Sequence, residues 1–214
     1  MEPVPADTRT ALLQAALACF AERGFDGTSI RMIANRARRP LSLLAHHFGN
    51  KEGLYLEVFK LIFESTMCGD RIVHTPGDPQ EAERLLGDQI LAIFRDTVQQ
   101  DGHADSTQEY GARLWLQEIR APRPSLAPLL HDFMKPIIET IRACIRTLRP
   151  DLTEAEVAFT GISIIGQITG HGLMRGLNQV VWEGMARDQD PDQAARQLLS
   201  LCLHGLVGRQ PGLG

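Results

Sequence analysis

The chain has 214 residues, of which 43% are hydrophobic and 22% charged, and it carries a formal net charge of −4. That is too apolar for a disordered segment and long enough for one substantial core or for a small domain joined to a larger one. No run approaches the ~18 uninterrupted apolar residues that a membrane span needs. Every clear periodicity is helical. Leu12, Leu13, Ala16, Leu17 and Phe20 form one apolar stripe, and Gly24 stands where a helix C-cap is expected. Thr28 is placed to N-cap a short second helix that buries Ile30, Ile33, Ala34 and Ala37. A third segment, about 40–47, turns Leu44 and Phe48 inward, and Asn50 is placed to cap a fourth helix carrying Leu54, Val58 and Leu61. Pro79 opens a longer helix with Ala82, Leu85, Leu86, Gln89, Ile90 and Ile93 on one face. Asp105 or Ser106 starts the next, which runs through Leu114, Trp115 and Ile119 to the break RAPRPS at 120–125. From Leu126, the positions Leu129, Leu130, Phe133, Ile137, Ile141, Cys144 and Leu148 make the longest stripe, with a kink expected at Pro136. Thr153 and Glu156 form a capping-box pattern ahead of a helix to about Leu177. Asp190-Pro191 opens a last helix through Leu198, Cys202 and Leu206. No window alternates with period two for long enough to argue a strand, so the expected fold is all-α.

Charge is divided unevenly along these helices. Residues 1–60 hold eight Lys/Arg against six Asp/Glu, while 61–214 hold fourteen against twenty. Between Arg31 and Lys51 there are five basic residues and no acidic one, arranged around the apolar LSLLAHHF. Such a cluster on an acidic chain suggests that one end meets a polyanion. Three short helices between 28 and 61, the first two joined by a few residues, are the layout of a helix-turn-helix unit. In that layout the segment 40–47 enters the major groove and presents Leu41, Ser42, Leu43, Ala45 and His46. Ser42 and His46 can hydrogen-bond base edges, and Leu41 or Leu43 can touch thymine methyls. Arg31, Arg36, Arg38, Arg39 and Lys51 flank this surface and can neutralise phosphates. Charge and spacing alone fit equally an exposed charged face on an ordinary helical bundle.

TRTALLQAALACFAERGFDGTSIRMIANRA followed by HHFGNKEGLYLEVF resembles the N-terminal DNA-binding domain of TetR-type (TetR/AcrR) transcriptional regulators. The resemblance implies a three-helix helix-turn-helix domain at 1–53 and a larger helical ligand-binding and dimerisation domain at 54–214. It implies phosphate contacts at His47 and Lys51, and at the start of the second helix, Thr28 and Ser29. The chain departs from the family pattern at three places. Arg38 stands where the turn usually has Gly, Arg39 and Pro40 replace an apolar residue and Ser, and Ala45 replaces a common Tyr. An arginine in a left-handed turn costs on the order of 1 kcal/mol relative to glycine. Arg38 and Arg39 are therefore expected to grip phosphate in place of the side chains that these departures remove.

EIRAPRPSLAPLLHDFMKPIIETI with ISIIGQITG resembles the TetR-type subgroup with a CecR-like C-terminal domain. Domains of that kind bind a small molecule among their helices and dimerise through the last two. On that implication the pocket candidates are Phe94, Tyr110, Trp115, His131, Phe133, Met134 and Met174, each of which equally suits plain core packing. Glycines inside the predicted helix of GISIIGQITGHG cost roughly 1 kcal/mol each against alanine, which close helix approach can offset. Gly166 and Gly170 share a face, and with Leu198, Cys202 and Leu206 they are the expected dimer interface, a tight intrachain crossing being the alternative.

Enzyme signatures are missing. There is no ExxH or HExxH, no GxxxxGK[ST], no GxSxG and no GxGxxG ahead of a helix. Adjacent His46 and His47 diverge by about 100° on a helix and chelate poorly. No metal, cofactor or catalytic residue is expected. The start MEPVPADTRT is acidic rather than leader-like, and Cys19, Cys68, Cys144 and Cys202 form no CxxC, so a cytoplasmic chain with reduced thiols is expected. The partners expected are a double-stranded DNA operator, a small-molecule effector and a second copy of the chain, with no membrane. The rival readings are a helical protein-interaction module using the basic 31–51 face and an all-α enzyme whose groups meet only in space.

Overall fold

The computed structural model describes residues 8–65, 72–98, 106–119, 121–174, 177, 180–181 and 191–207. Among these residues there is no strand, and nine α-helices follow one another: α1 (Thr8–Arg23), α2 (Ile30–Ala37), α3 (Leu41–Phe48), α4 (Lys51–Ser65), α5 (Pro79–Val98), α6 (Ser106–Glu118), α7 (Ala127–Leu148), α8 (Glu154–Leu173) and α9 (Pro191–Val207). The all-α expectation holds. The helices fall into two compact units, residues 1–66 with 100–131 and residues 67–99 with 132–214.

The first unit is organised around α1, which packs against α2, α4 and α6. Leu12, Leu17 and Phe20 of α1, Ile33 of α2, Leu44 of α3 and Leu54, Tyr55 and Phe59 of α4 are fully buried. An aromatic ladder runs through this core: Phe20 meets Tyr55 edge-on at 4.9 Å, Tyr55 meets Phe59 at 5.2 Å, and Phe63 meets Trp115 at 6.0 Å. Such pairs add about 0.5–1.5 kcal/mol each beyond their buried area. Gly24 ends α1 with φ +70, a conformation only glycine adopts without strain, and donates its N–H to the Phe20 carbonyl at 2.8 Å. Close approach also explains Gly111, where a Cβ would meet Ile62 at 3.2 Å.

Tyr55 carries a polar end into this apolar surround. Its hydroxyl donates to Glu118 Oε1 at 2.7 Å, and the other carboxylate oxygen accepts from the Arg123 backbone N–H at 2.9 Å. Arg123 in turn donates to Asp26 at 2.7 Å and lies 4.0 Å over the Phe25 ring. Burial, with the hydrogen bond to Glu118, pushes the Tyr55 phenol far above its ordinary value, so it stays a neutral donor. Through these contacts the end of α6 is tied to the α1–α2 turn.

In the second unit α5 packs against α8 and α9. Leu86, Ile90, Cys144, Ile145, Val157 and Ile168 are fully buried in its core. Thr153 caps α8 in a complete capping box with Glu156, as the sequence suggested, and Arg95 of α5 grips Asp192 of α9 through two hydrogen bonds of 2.9 and 2.7 Å. Helix α7 continues through Pro136.

Several sequence expectations shift by small steps. The cap of α2 is Ser29, not Thr28: the Ser29 hydroxyl accepts from the Met32 N–H at 3.2 Å. Helix α3 begins at Leu41, because Pro40 keeps an extended ψ of 139°. Helix α8 stops at Leu173, short of Leu177. Ile119, expected on a buried face, is exposed, and Leu61 is half-buried while its neighbours Ile62 and Phe63 take the core places. Asp105, Cys68 and Asp190 lie outside the described residues.

Candidate nucleic-acid interface

The α2–α3 turn is built by a backbone device rather than by a side-chain cap. Arg38 adopts φ 52, ψ 45, the left-handed conformation, and it is the one non-glycine residue with positive φ among those described. Its N–H bonds the Asn35 carbonyl at 3.1 Å, and the Arg39 N–H bonds the Ala34 carbonyl at 3.0 Å. This is the Schellman arrangement, which satisfies the last carbonyls of α2 and redirects the chain. Pro40 has no side-chain oxygen to cap α3, so only its carbonyl contributes, accepting from the Leu43 N–H at 3.1 Å. Asn50 caps α4 by accepting from the Gly53 N–H at 2.8 Å.

Helix α3 is anchored by two side chains one turn apart. Leu44 is 1% and Phe48 8% exposed, which turns the rest of the helix outward. Leu41, Ser42, Ala45, His46 and His47 are exposed, and Leu43 is half-buried. This is the outward set expected from the periodicity. Gly49 ends the helix at φ 72.

The cations around α3 are of two kinds. Arg36 is committed to Glu22, donating to both carboxylate oxygens at 2.8 Å. Arg31, Arg38, Arg39 and Lys51 make no ion pair among the described residues. Lys51 Nζ rests 4.2 Å over the Phe25 ring, and Arg39 folds back on the turn, with one guanidinium N–H on the Arg38 carbonyl at 3.4 Å. Ser29, Arg31 and Arg38 are exposed.

Thr28 is a correction. It is 2% exposed, and its hydroxyl is directed at the carbonyls of Gly24 (2.8 Å) and Cys19 (3.0 Å). A hydroxyl turned inward to close α1 has no hydrogen left for a phosphate, so of the expected pair only Ser29 faces solvent.

The residues expected to line a ligand pocket are divided between the two units. Phe94 is buried in the core of the second unit, where its ring meets His171 at 5.8 Å, and Phe133 and Met134 pack at the margin of that core. Tyr110, Trp115 and His131 belong to the first unit, with the Trp115 ring on Phe63, and Met174 is exposed beyond the end of α8. The expected dimer set also divides. Leu198 and Cys202 face inward, in the chain's own core, because α9 lays that side against α5. Gly166 is exposed and Gly170 half-buried, and among the described residues nothing lies within 4 Å of a Cβ built at either. The Leu206 side chain lies outside the described residues. Sequence reasoning missed the exposed apolar side chains Phe159, Ile162 and Leu201, at 72, 70 and 69% exposure. Phe159, Leu201, Ser163, Gln167 and Gly205 line a shallow groove of about 310 Å³.

Among the described residues, no group of three or more His, Cys, Asp or Glu is placed to hold a metal ion. Cys19, Cys144 and Cys202 are buried and free, and burial pushes each thiol up, Cys144 to about 11, so they are packing groups rather than thiolates. Among the described residues, no helix is long and apolar enough to cross a membrane.

Comparison with known proteins matches two segments of the chain. Residues 12–58 match the family described as "Bacterial regulatory proteins, tetR family", and residues 87–206 match "HTH-type transcriptional dual regulator CecR, C-terminal domain". The HTH-type transcriptional repressor AcnR of Corynebacterium glutamicum is 36% identical over 52 residues, which is 24% of this chain and 28% of that protein. The HTH-type transcriptional regulator RutR of Escherichia coli is 28% identical over 137 residues, 64% of this chain and 59% of its own length. The matches thus span less than two thirds of either relative. A TetR family regulator from Pseudomonas syringae pv. tomato shares the fold, with a TM-score of 0.61 at 22% identity over 96% of this chain and 97% of that one.

Proposed function

The chain belongs to the TetR family of bacterial regulators, with a CecR-type C-terminal domain, and from that membership we propose that it is a ligand-responsive repressor binding a palindromic operator as a homodimer. The observation that carries the proposal is α3, a short helix pinned by two buried side chains, with its outward surface flanked by Arg31, Arg38, Arg39 and Lys51, which make no ion pair among the described residues. Phosphate contacts from Ser29, Arg31, Arg38, Arg39, His47 and Lys51 position the head, and Leu41, Ser42, Leu43, Ala45 and His46 meet the base edges. The DNA-reading portion is 1–53 and the remainder, 54–214, binds effector and partner. Such a regulator works on cytoplasmic DNA.

A second copy supplies the other reading head. Phe159, Ile162 and Gly166 share one face of α8, and with Leu201 of α9 they form a large apolar surface that is exposed among the described residues. Small residues at Gly166 and Gly205 let a partner helix approach. Effector binding is read out as a change in head spacing, for which a coupling of ~1–3 kcal/mol suffices. Repression is the action printed in the name of AcnR.

The test is a mobility-shift titration of the full chain on palindromic duplexes from beside its own coding region, with sedimentation in parallel. A retarded band at dimer stoichiometry, displaced by a candidate effector, is the expected result. Failure to bind any such duplex at low salt removes the proposal.

A further inference from the structure

Helix α3 carries an unusual set of groups for a base-reading helix. Between Leu41 and Phe48 there is no Arg, Lys, Asn, Gln, Asp or Glu. Those side chains give the direct base contacts with strong sequence content: Arg or Lys on guanine, Asn or Gln on adenine, Asp or Glu on cytosine. Ser42 and His46 lack the two-atom fork that makes a bidentate contact with one base edge. The remaining outward groups are aliphatic.

Leu41 stands out by its state as well as its place. It is 38% exposed, and within residues 8–65 it is the one large apolar side chain classed as exposed, the others being buried or half-buried. It occupies the first turn of α3, directly after Pro40, with half-buried Leu43 two residues on. In the major groove the feature that an aliphatic side chain distinguishes is the 5-methyl group of thymine. The cations around α3 grip phosphates whatever the sequence, so they add affinity without choosing bases.

Building on the DNA-reading function above, we propose that the chain selects its operator chiefly through thymine methyl groups, contacted by Leu41 and Leu43. Ser42 and His46 refine the choice with hydrogen bonds. The half-site is therefore rich in thymine on the contacted strand, and a thymine-to-uracil exchange is felt there although pairing and hydrogen-bonding groups stay the same.

The experiment uses the full chain to enrich duplexes from a random-sequence pool. The winning duplex is then synthesised twice, once with thymine and once with deoxyuridine throughout. Loss of each contacted methyl lowers affinity about fourfold, so two half-sites with one contact each give a loss of roughly tenfold or more. Leu41→Ala, a substitution at an exposed position whose fold is checked by circular dichroism, weakens binding to the thymine duplex and narrows the gap between the two. Equal affinity of the chain for both duplexes overturns the inference while leaving DNA binding intact, as does a Leu41→Ala variant that keeps the full gap. A pool that enriches no sequence defeats the DNA-reading premise and the inference with it.

Discussion

Replacing Arg38 by glycine pulls stability and DNA affinity in opposite directions. Arg38 sits at φ 52, ψ 45, where a side-chain Cβ costs about 1–2 kcal/mol. Glycine removes that strain but brings a more flexible unfolded chain, which takes back ~0.5–1 kcal/mol. The turn's hydrogen bonds come from the backbone N–H groups of residues 38 and 39 and survive the change. The net gain is about 0.5–1 kcal/mol, or ~1–4 °C in melting temperature for a chain of this size. The guanidinium is removed at the same time, and it is exposed and makes no ion pair among the described residues. If it meets one phosphate per subunit, the salt slope of operator binding falls by ~1.8 for a dimer. Thermal unfolding and titrations at several salt concentrations measure the two effects, and Arg38→Lys, which keeps both strain and charge, should move neither by much. An Arg38→Gly variant that is less stable, or that keeps the original salt slope, refutes the reasoning.

Other expectations follow from single contacts. Tyr55→Phe leaves the buried Glu118 carboxylate short of a donor and should cost ~1–3 kcal/mol in urea unfolding. Leu198→Ala opens a cavity in the core and should cost ~2–4 kcal/mol, whereas Leu201→Ala, on an exposed side chain, should change the unfolding of dissociated chains by less than about 0.5 kcal/mol. Ile162→Asp places a charge on the open α8 face, and sedimentation should then show single chains at concentrations where the parent is paired. The Arg95 guanidinium holds the Asp192 carboxyl below its ordinary value of 3.8. A depressed carboxylate contributes its full stability above that ordinary value and loses it as pH falls through the depressed one. The stability difference between the chain and Asp192→Asn should therefore be flat above about pH 5 and shrink below 3.8, as acid unfolding curves can check.

Much of the head could be read from residue order because its signals are local. The Gly24 stop, the Asn50 cap and the inward pair Leu44 and Phe48 each depend on residues within one turn. Arg38 as a left-handed residue was legible only through the family resemblance, which puts a glycine at that place in the turn. Thr28 and Ser29 were harder. Two adjacent hydroxyl residues both suit a cap, and only the carbonyls of Cys19 and Gly24 show which one is claimed elsewhere. The Tyr55–Glu118 bond spans 63 positions, and the Arg36–Glu22 pair removes a cation from the apparent DNA face. Nothing near any one of these residues announces its partner.

The body shows why an apolar stripe alone misassigns an interface. Residues 195, 198 and 202 of α9 are apolar at helical spacing, which says that they are buried but not by what. In the folded chain they join the core of the second unit, where α9 packs against α5. The apolar side chains left over are those the chain has no use for internally, and Phe159, Ile162 and Leu201 are such a set. Each would expose a large hydrocarbon area to water if the chain stayed alone, at roughly 25 cal/mol for every Å² left uncovered. The glycines tell the same story from the other side. Gly161 is filled by Ile141 and Ile145 at 3.7 and 3.8 Å, an ordinary intrachain contact, while Gly166 and Gly170 face nothing within 4 Å. On the proposed homodimer, the cost of those two helical glycines is offset where the α8 face stays flat for a second copy.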